Sequence, residues 1–179
     1  MISKNHMKKT LLVTLDFYPA KGGVATYWRG LSGAMPSERW VVLAPPLPVG
    51  VQELEVDYEV IRRPLVLSWA NPRWAPLFFH IAGLVGSRQI DRVVVGQLLP
   101  VGTVVWLLSY IYGFSYIVST HGMDVTFAMR SPRKRWLAER ILARAEKVLT
   151  VSQYTAEKLK MLGCDERKIV MVQGCPSVT

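Results

Sequence analysis

The chain has 179 residues, half of them apolar and a fifth charged, with 22 lysines and arginines against 13 acids and a formal net charge of +9 at pH 7. That length fits one domain, and that composition excludes a disordered tail while supplying enough apolar material to bury roughly 70% of the unfolded chain's surface. The charge favours anionic partners (nucleotides, nucleic acid or acidic lipid) without choosing among them.

Residues 1–10 read as a frayed lead-in outside the domain. Lys4, Lys8 and Lys9 precede a largely apolar run of only five residues, 11–15, before Asp16 and Pro19, too short for a secretory core. Residues 11–17 predict a first strand, followed by a loop with Pro19, Gly22 and Gly23. Val24, Tyr27, Trp28, Leu31 and Met35 then recur at helical spacing up to Pro36. Residues 40–44 and 58–66 predict two further strands. Asn71-Pro72 reads as a cap with proline at the first helical position, opening a helix to about Gly86. Strands over 92–95 and 115–120 flank a helix over 101–112. A helix over 132–145, a strand over 147–152, a helix over 154–162 and a strand over 169–173 complete the pattern.

The run 93–123 carries no charged residue save His121, and about 20 apolar residues suffice to span a bilayer. Gly96, Gln97, Pro100, Gly102 and Gly113 break it into strand, helix and strand. It therefore reads as two strands buried on both faces with a helix between them. Alternating strands and helices imply an α/β, Rossmann-like, doubly wound and mainly parallel sheet with helices on both faces. Ligands of such sheets bind beyond the carboxyl ends of the strands. Lys21-Gly22-Gly23, His121-Gly122-Met123-Asp124 and Ser152-Gln153 all fall there.

Gly22-Gly23 joins a strand to a helix start, where backbone amides and the helix dipole favour a phosphate or diphosphate. The same pair also fits a tight turn. It is neither the three-glycine dinucleotide fingerprint nor a P-loop. His121 follows a buried strand and can bond a substrate hydroxyl or transfer a proton, or can merely bond the strand end. Asp124 can orient that ring, bind hydroxyls, or cap the next segment. Arg130, Arg133, Lys134 and Arg135, beside Trp136, form a basic cluster suited to an anionic partner or membrane surface, or a solvated face. The two cysteines, Cys164 and Cys175, make no disulfide framework, and His6, His80 and His121 show no metal-ligand spacing.

Three stretches then act together. Phe17-Tyr18-Pro19-Ala20-Lys21-Gly22-Gly23-Val24-Ala25, His121-Gly122-Met123-Asp124, and the run 148–157 with Leu159, Leu162-Gly163 and Lys168-Ile169 resemble, in order and spacing, the N-terminal domain of a retaining GT4-family glycosyltransferase of GT-B fold. The resemblance extends over residues 9–174, thinly between 45 and 92.

It implies a Rossmann-like domain over 11–174, an interdomain linker opening at 175–179, and a donor-binding second half outside these residues. It implies hexosyl transfer with retention from a nucleotide-sugar donor to a saccharide or lipid-linked acceptor. The acceptor-side half by itself is expected to be inactive. His121 is the implied catalytic residue, and Lys21, Gly22, Gly23, Gly122, Asp124 and Ser152 the implied substrate-binding ones. No metal, no further cofactor and no nucleic-acid partner is expected. The location expected is cytoplasmic, peripheral on the inner face of the membrane. A stand-alone nucleotide- or effector-binding module without catalysis is the alternative.

Overall fold

The computed structural model describes residues 8–172. The lead-in up to residue 7, the end of the last expected strand at Gln173 and the linker at 175–179 lie outside the described residues.

Seven strands form one wholly parallel sheet in the order β3-β2-β1-β4-β5-β6-β7. They are β1 (Lys9–Val13), β2 (Trp40–Ala44), β3 (Glu59–Arg62), β4 (Ile90–Val95), β5 (Ser115–Thr120), β6 (Lys147–Thr150) and β7 (Ile169–Met171). The helices are α1 (Gly23–Gly33), α2 (Ala75–Ser87), α3 (Val101–Tyr112), α4 (Met123–Ala128), α5 (Pro132–Arg144) and α6 (Gln153–Met161). Strand order reverses at β1. Right-handed crossovers leaving it in opposite directions must land on opposite faces. Tyr27 and Trp28 of α1 accordingly pack in one apolar cluster with Trp40 and Tyr58, while α2, α3, α5 and α6 feed a larger cluster.

The uncharged run 93–123 is the middle of this sheet. Val93, Val95, Val104, Val105, Leu108 and Val118 are fully buried. Among the described residues no helix is long and apolar enough to cross a membrane.

Three local expectations are corrected. The first strand opens at Lys9, inside the expected lead-in, with Lys9 in register with Ile90. It ends at Val13 rather than Phe17. The Thr14 hydroxyl donates to the carbonyl of Asp16 at 3.1 Å and accepts its amide at 3.2 Å, which turns the chain. The second concerns Asn71-Pro72, which lies in a turn before α2. Trp74 is the N-cap, and Pro76 sits in the first turn. Had the helix begun at Pro72, Pro76 would have stood in its interior, removing one hydrogen bond and clashing with the turn behind it. The third is α4, which no expectation covered because six residues are too few for a helical period to register.

Candidate functional site

The carboxyl ends of β1, β4, β5 and β6 share one rim. From β1 the chain passes through Thr14–Asp16 turn chemistry to Gly22, whose φ of +138° suits glycine alone. Gly22 is the N-cap of α1 and offers no side chain, so the first-turn amides have no side-chain cap. The Thr26 hydroxyl donates to the Gly22 carbonyl at 3.1 Å, which fixes the loop from behind. Lys21, Gly22 and Gly23 are exposed.

From β5 the chain passes into His121 and Gly122 (φ +87°). The carboxylate of Asp124 accepts the amides of His121 at 3.0 Å, Val125 at 2.9 Å and Leu98 at 3.3 Å. In this structure Asp124 bonds backbone amides and not the imidazole. It pins the loop after β5 to the loop after β4. The imidazole of His121 packs edge-on against Tyr27 and Trp28 of α1, with centroids 5.3 and 5.8 Å away. The ring therefore packs on the helix that the paired glycines open.

Burial pushes the His121 imidazole below its usual range, against the pull of the Asp124 and Asp16 carboxylates. The side chain is neutral near pH 7. Its Nε2 is buried without a hydrogen-bond partner among the described residues, as are Trp28 Nε1 and Ser119 Oγ. An unpaired buried polar atom costs about 1–3 kcal/mol, so a ring nitrogen held this way favours a group that pairs with it.

Ser152 joins the rim through α6, which it caps. Its hydroxyl accepts the Thr155 amide at 3.2 Å and lies 2.9 Å from the Thr155 hydroxyl. A Cβ on Gly122 would meet that Thr155 hydroxyl at 3.2 Å. Gly22, Gly23, His121, Gly122, Asp124 and Ser152 thus sit along one continuous edge.

The expected basic cluster divides among three sets of neighbours. Lys134 stands over the Phe127 ring at 3.5 Å, with Arg130 at 5.8 Å from the same ring. Arg135 pairs with Glu139 and donates to the Met161 carbonyl. Arg133 alone of the four lines an apolar concavity with Trp136. Helical spacing separates Arg133, Lys134 and Arg135, since consecutive positions on α5 point about 100° apart.

Sequence reasoning treated Gln97 as punctuation, yet it is the tie at the switch point. Its side-chain carbonyl accepts the Leu15 amide at 3.0 Å, and its amide donates to Thr14 Oγ1 and Asp16 Oδ2, each at 3.1 Å. Asp16 is thereby held as an exposed carboxylate at the mouth of the crevice. The available signal was a glutamine two residues after a buried β-branched strand, at the carboxyl edge where open α/β sheets bind ligands. Arg62 braces the loop before α1, donating to the Tyr18 carbonyl at 2.7 Å and to the Pro45 carbonyl at 3.2 Å while paired with Glu53.

Residues 22–174 match the model of the glycosyl transferase 4-like domain. The chain belongs to that family. The glycosyl transferase 4-like domain here is 30% identical over 156 residues to the GDP-mannose-dependent monoacylated alpha-(1-6)-phosphatidylinositol monomannoside mannosyltransferase of Corynebacterium glutamicum, covering 86% of this chain and 40% of that protein. It is 29% identical over 153 residues to the GDP-mannose-dependent alpha-(1-6)-phosphatidylinositol monomannoside mannosyltransferase of Mycolicibacterium smegmatis, covering 83% of this chain and 39% of that protein. The chain thus spans about 40% of the length of these curated relatives. Among solved structures it resembles sucrose-phosphate synthase of Thermosynechococcus elongatus (TM-score 0.72, 16% identity, 93% of this chain and 48% of that one). It also resembles Anabaena HepE in complex with UDP-glucose (TM-score 0.70, 14% identity, 94% and 44%). At those identities the likeness is one of fold: the sheet is the Rossmann-like N-terminal half of a GT-B architecture.

Proposed function

We propose that this domain is the acceptor-side half of a retaining glycosyltransferase, and that its carboxyl-edge rim takes a nucleotide-diphosphate sugar against an acceptor hydroxyl. The observation that carries the reading is His121 Nε2, buried and without a partner among the described residues, on a ring packed against the helix whose first turn has no side-chain cap. Gly22 and Gly23 offer amides to the diphosphate, where negative charge grows as the sugar–oxygen bond breaks. Lys21 adds a cation beside them. Neutral His121 bonds a hydroxyl of the transferred sugar. The acceptor oxygen attacks the anomeric carbon on the face the diphosphate leaves, and its proton passes to the departing phosphate oxygen, which gives retention. Gly122, Asp124 and Ser152 hold the histidine loop at the working distance, Asp124 through the His121 amide.

The mannosyltransferase names of the relatives support mannose as the sugar and a phosphatidylinositol glycoside as the acceptor class. An acceptor of that kind supports a cytoplasmic protein working peripherally on the inner face of the membrane. The donor's remaining contacts fall to a second domain.

The test is transfer of radiolabelled mannose from GDP-mannose, with UDP-glucose in parallel, to phosphatidylinositol mannoside in detergent micelles. The enzyme is the protein that joins this domain to a donor-binding half. The expected result is a glycolipid product, with His121→Ala lowering turnover at least about a hundredfold. Turnover unchanged by His121→Ala, or neither product formed, would overturn the reading.

A further inference from the structure

We infer that the outer seam between α3 and α5 is the face this domain lays on an anionic lipid bilayer. The inference rests on the peripheral reading above and deepens it by naming the surface. On α5, residues 133, 136, 140 and 144 follow one another at spacings of three and four and so share a stripe. Lys134 and Arg135, occupied by Phe127 and Glu139, lie off it. Across the seam, Trp106 of α3 stands edge-on to Tyr110 at 5.8 Å and to Trp136 of α5 at 6.5 Å. The three rings form a ladder joining two helices. Trp136 and Tyr110 are 53% and 62% exposed, so neither is core.

Arginines are seated on this ladder. Arg140 lies over Trp136 at 5.5 Å and Arg144 over Tyr110 at 4.0 Å, the latter steadied by a 2.8 Å bond from its Nε to Ser109 Oγ. Arg133 rims an apolar concavity of about 550 Å³ that Pro132, Trp136 and Leu137 complete. Among the described residues no carboxylate pairs with these three guanidinium groups, whereas Arg62, Arg88, Arg92, Arg135 and Arg167 each have one.

The seam therefore keeps its positive charge unneutralised around exposed aromatic rings. Guanidinium forks match phosphate oxygens. Tryptophan and tyrosine favour the headgroup level of a bilayer, where one end of the ring is dry and the other wet. A groove reading nucleic acid would have no use for the neighbouring exposed Leu107 and Ile111. Each basic residue near an anionic surface contributes about fivefold to partitioning, so a pair contributes about twenty-five-fold.

The experiment is co-sedimentation of the chain with phosphatidylcholine–phosphatidylglycerol vesicles and with phosphatidylcholine alone. The variants are Arg133→Glu with Arg140→Glu, Trp136→Ser, and Lys134→Glu with Arg135→Glu. All changed side chains but Lys134, which is partly buried, are exposed, and circular dichroism confirms each fold. The expected result is binding to the anionic vesicles only, weakened about twenty-five-fold or more by the Arg133/Arg140 pair. Trp136→Ser weakens it too, and the Lys134/Arg135 pair leaves it near wild type. If wild type binds and the Lys134/Arg135 pair costs as much as the Arg133/Arg140 pair, the seam is wrong and the peripheral reading stands. If wild type does not bind, both fall. A dimer in sedimentation velocity that Trp136→Ser abolishes would make the seam a self-interface and overturn the lipid assignment.

Discussion

The Asp124 carboxylate accepts the backbone amide of His121 at 3.0 Å, so the group that holds the histidine loop lies three residues beyond it in the chain. Two more amides, those of Val125 and Leu98, complete its shell. Removing the carboxylate leaves three partly buried donors without a partner. Asp124→Ala should therefore lower the unfolding free energy by about 2 kcal/mol in urea titration, and Asp124→Asn, which keeps one oxygen, by less. Equal stability in all three proteins would show that the loop stands without this cap.

Two glycines separate packing from ligand approach. A Cβ on Gly96 would lie 2.6 Å from Thr14 Cβ and 2.9 Å from the Val13 carbonyl oxygen, whereas one on Gly23 meets nothing within 4 Å. Gly96→Ala should lose about 1–3 kcal/mol through overpacking of β4 on β1. Gly23→Ala should hold or gain up to about 1 kcal/mol, since alanine is the better helix former. In the protein joined to its donor-binding half, the proposed function has Gly23→Ala nonetheless raise the KM for nucleotide sugar, because a methyl group would stand where the diphosphate is proposed to approach. A Gly23→Ala protein with unchanged KM would remove the amide cradle from the mechanism.

The buried imidazole sets a pH dependence whose sign is fixed. Burial lowers the proton affinity of His121 in the folded chain. As pH falls through the ordinary imidazole range near 6.5, the unfolded chain takes up a proton that the folded one resists, and stability drops. Above that range the effect is absent. His80, lowered by burial and by Arg63, acts in the same direction. Urea midpoints should thus fall between about pH 7.5 and about pH 5.5, and His121→Gln should flatten part of that fall while leaving the share due to His80. A variant titrating like wild type would mean that the ring is not buried in solution.

Cys164 is predicted to be chemically silent. Burial pushes its thiol up to about 11, so almost no thiolate exists at pH 8, and the thiolate is the nucleophile. Peptide-level mass spectrometry after iodoacetamide treatment should find Cys164 alkylated only when denaturant is present. Rapid labelling of the native chain at this position would contradict the packing around Leu159 and Leu162.

The order of strands and of every helix but α4, the uncharged centre of the sheet and the glycine-rich turns at its carboxyl edge were all legible in the sequence. Each depends on local chemistry: period-two or buried β-branched runs, 3.6-residue apolar stripes, and glycine where φ must turn positive, as it does at Gly22 and Gly122. Even helix limits such as Val101–Tyr112 follow from proline before and glycine after.

What tertiary structure alone decided is which side chains meet. Gln97 bonds Asp16, 81 residues away in the chain, Trp28 packs on His121, and Arg62 closes over the loop before α1. Nothing in their local sequence marks these pairs, because they arise where parallel strands bring remote loops to one edge. The basic run at 130–135 makes the same point in reverse: neighbours in the chain, they face three directions once the helix is wound, and only Arg133 joins the exposed aromatic seam.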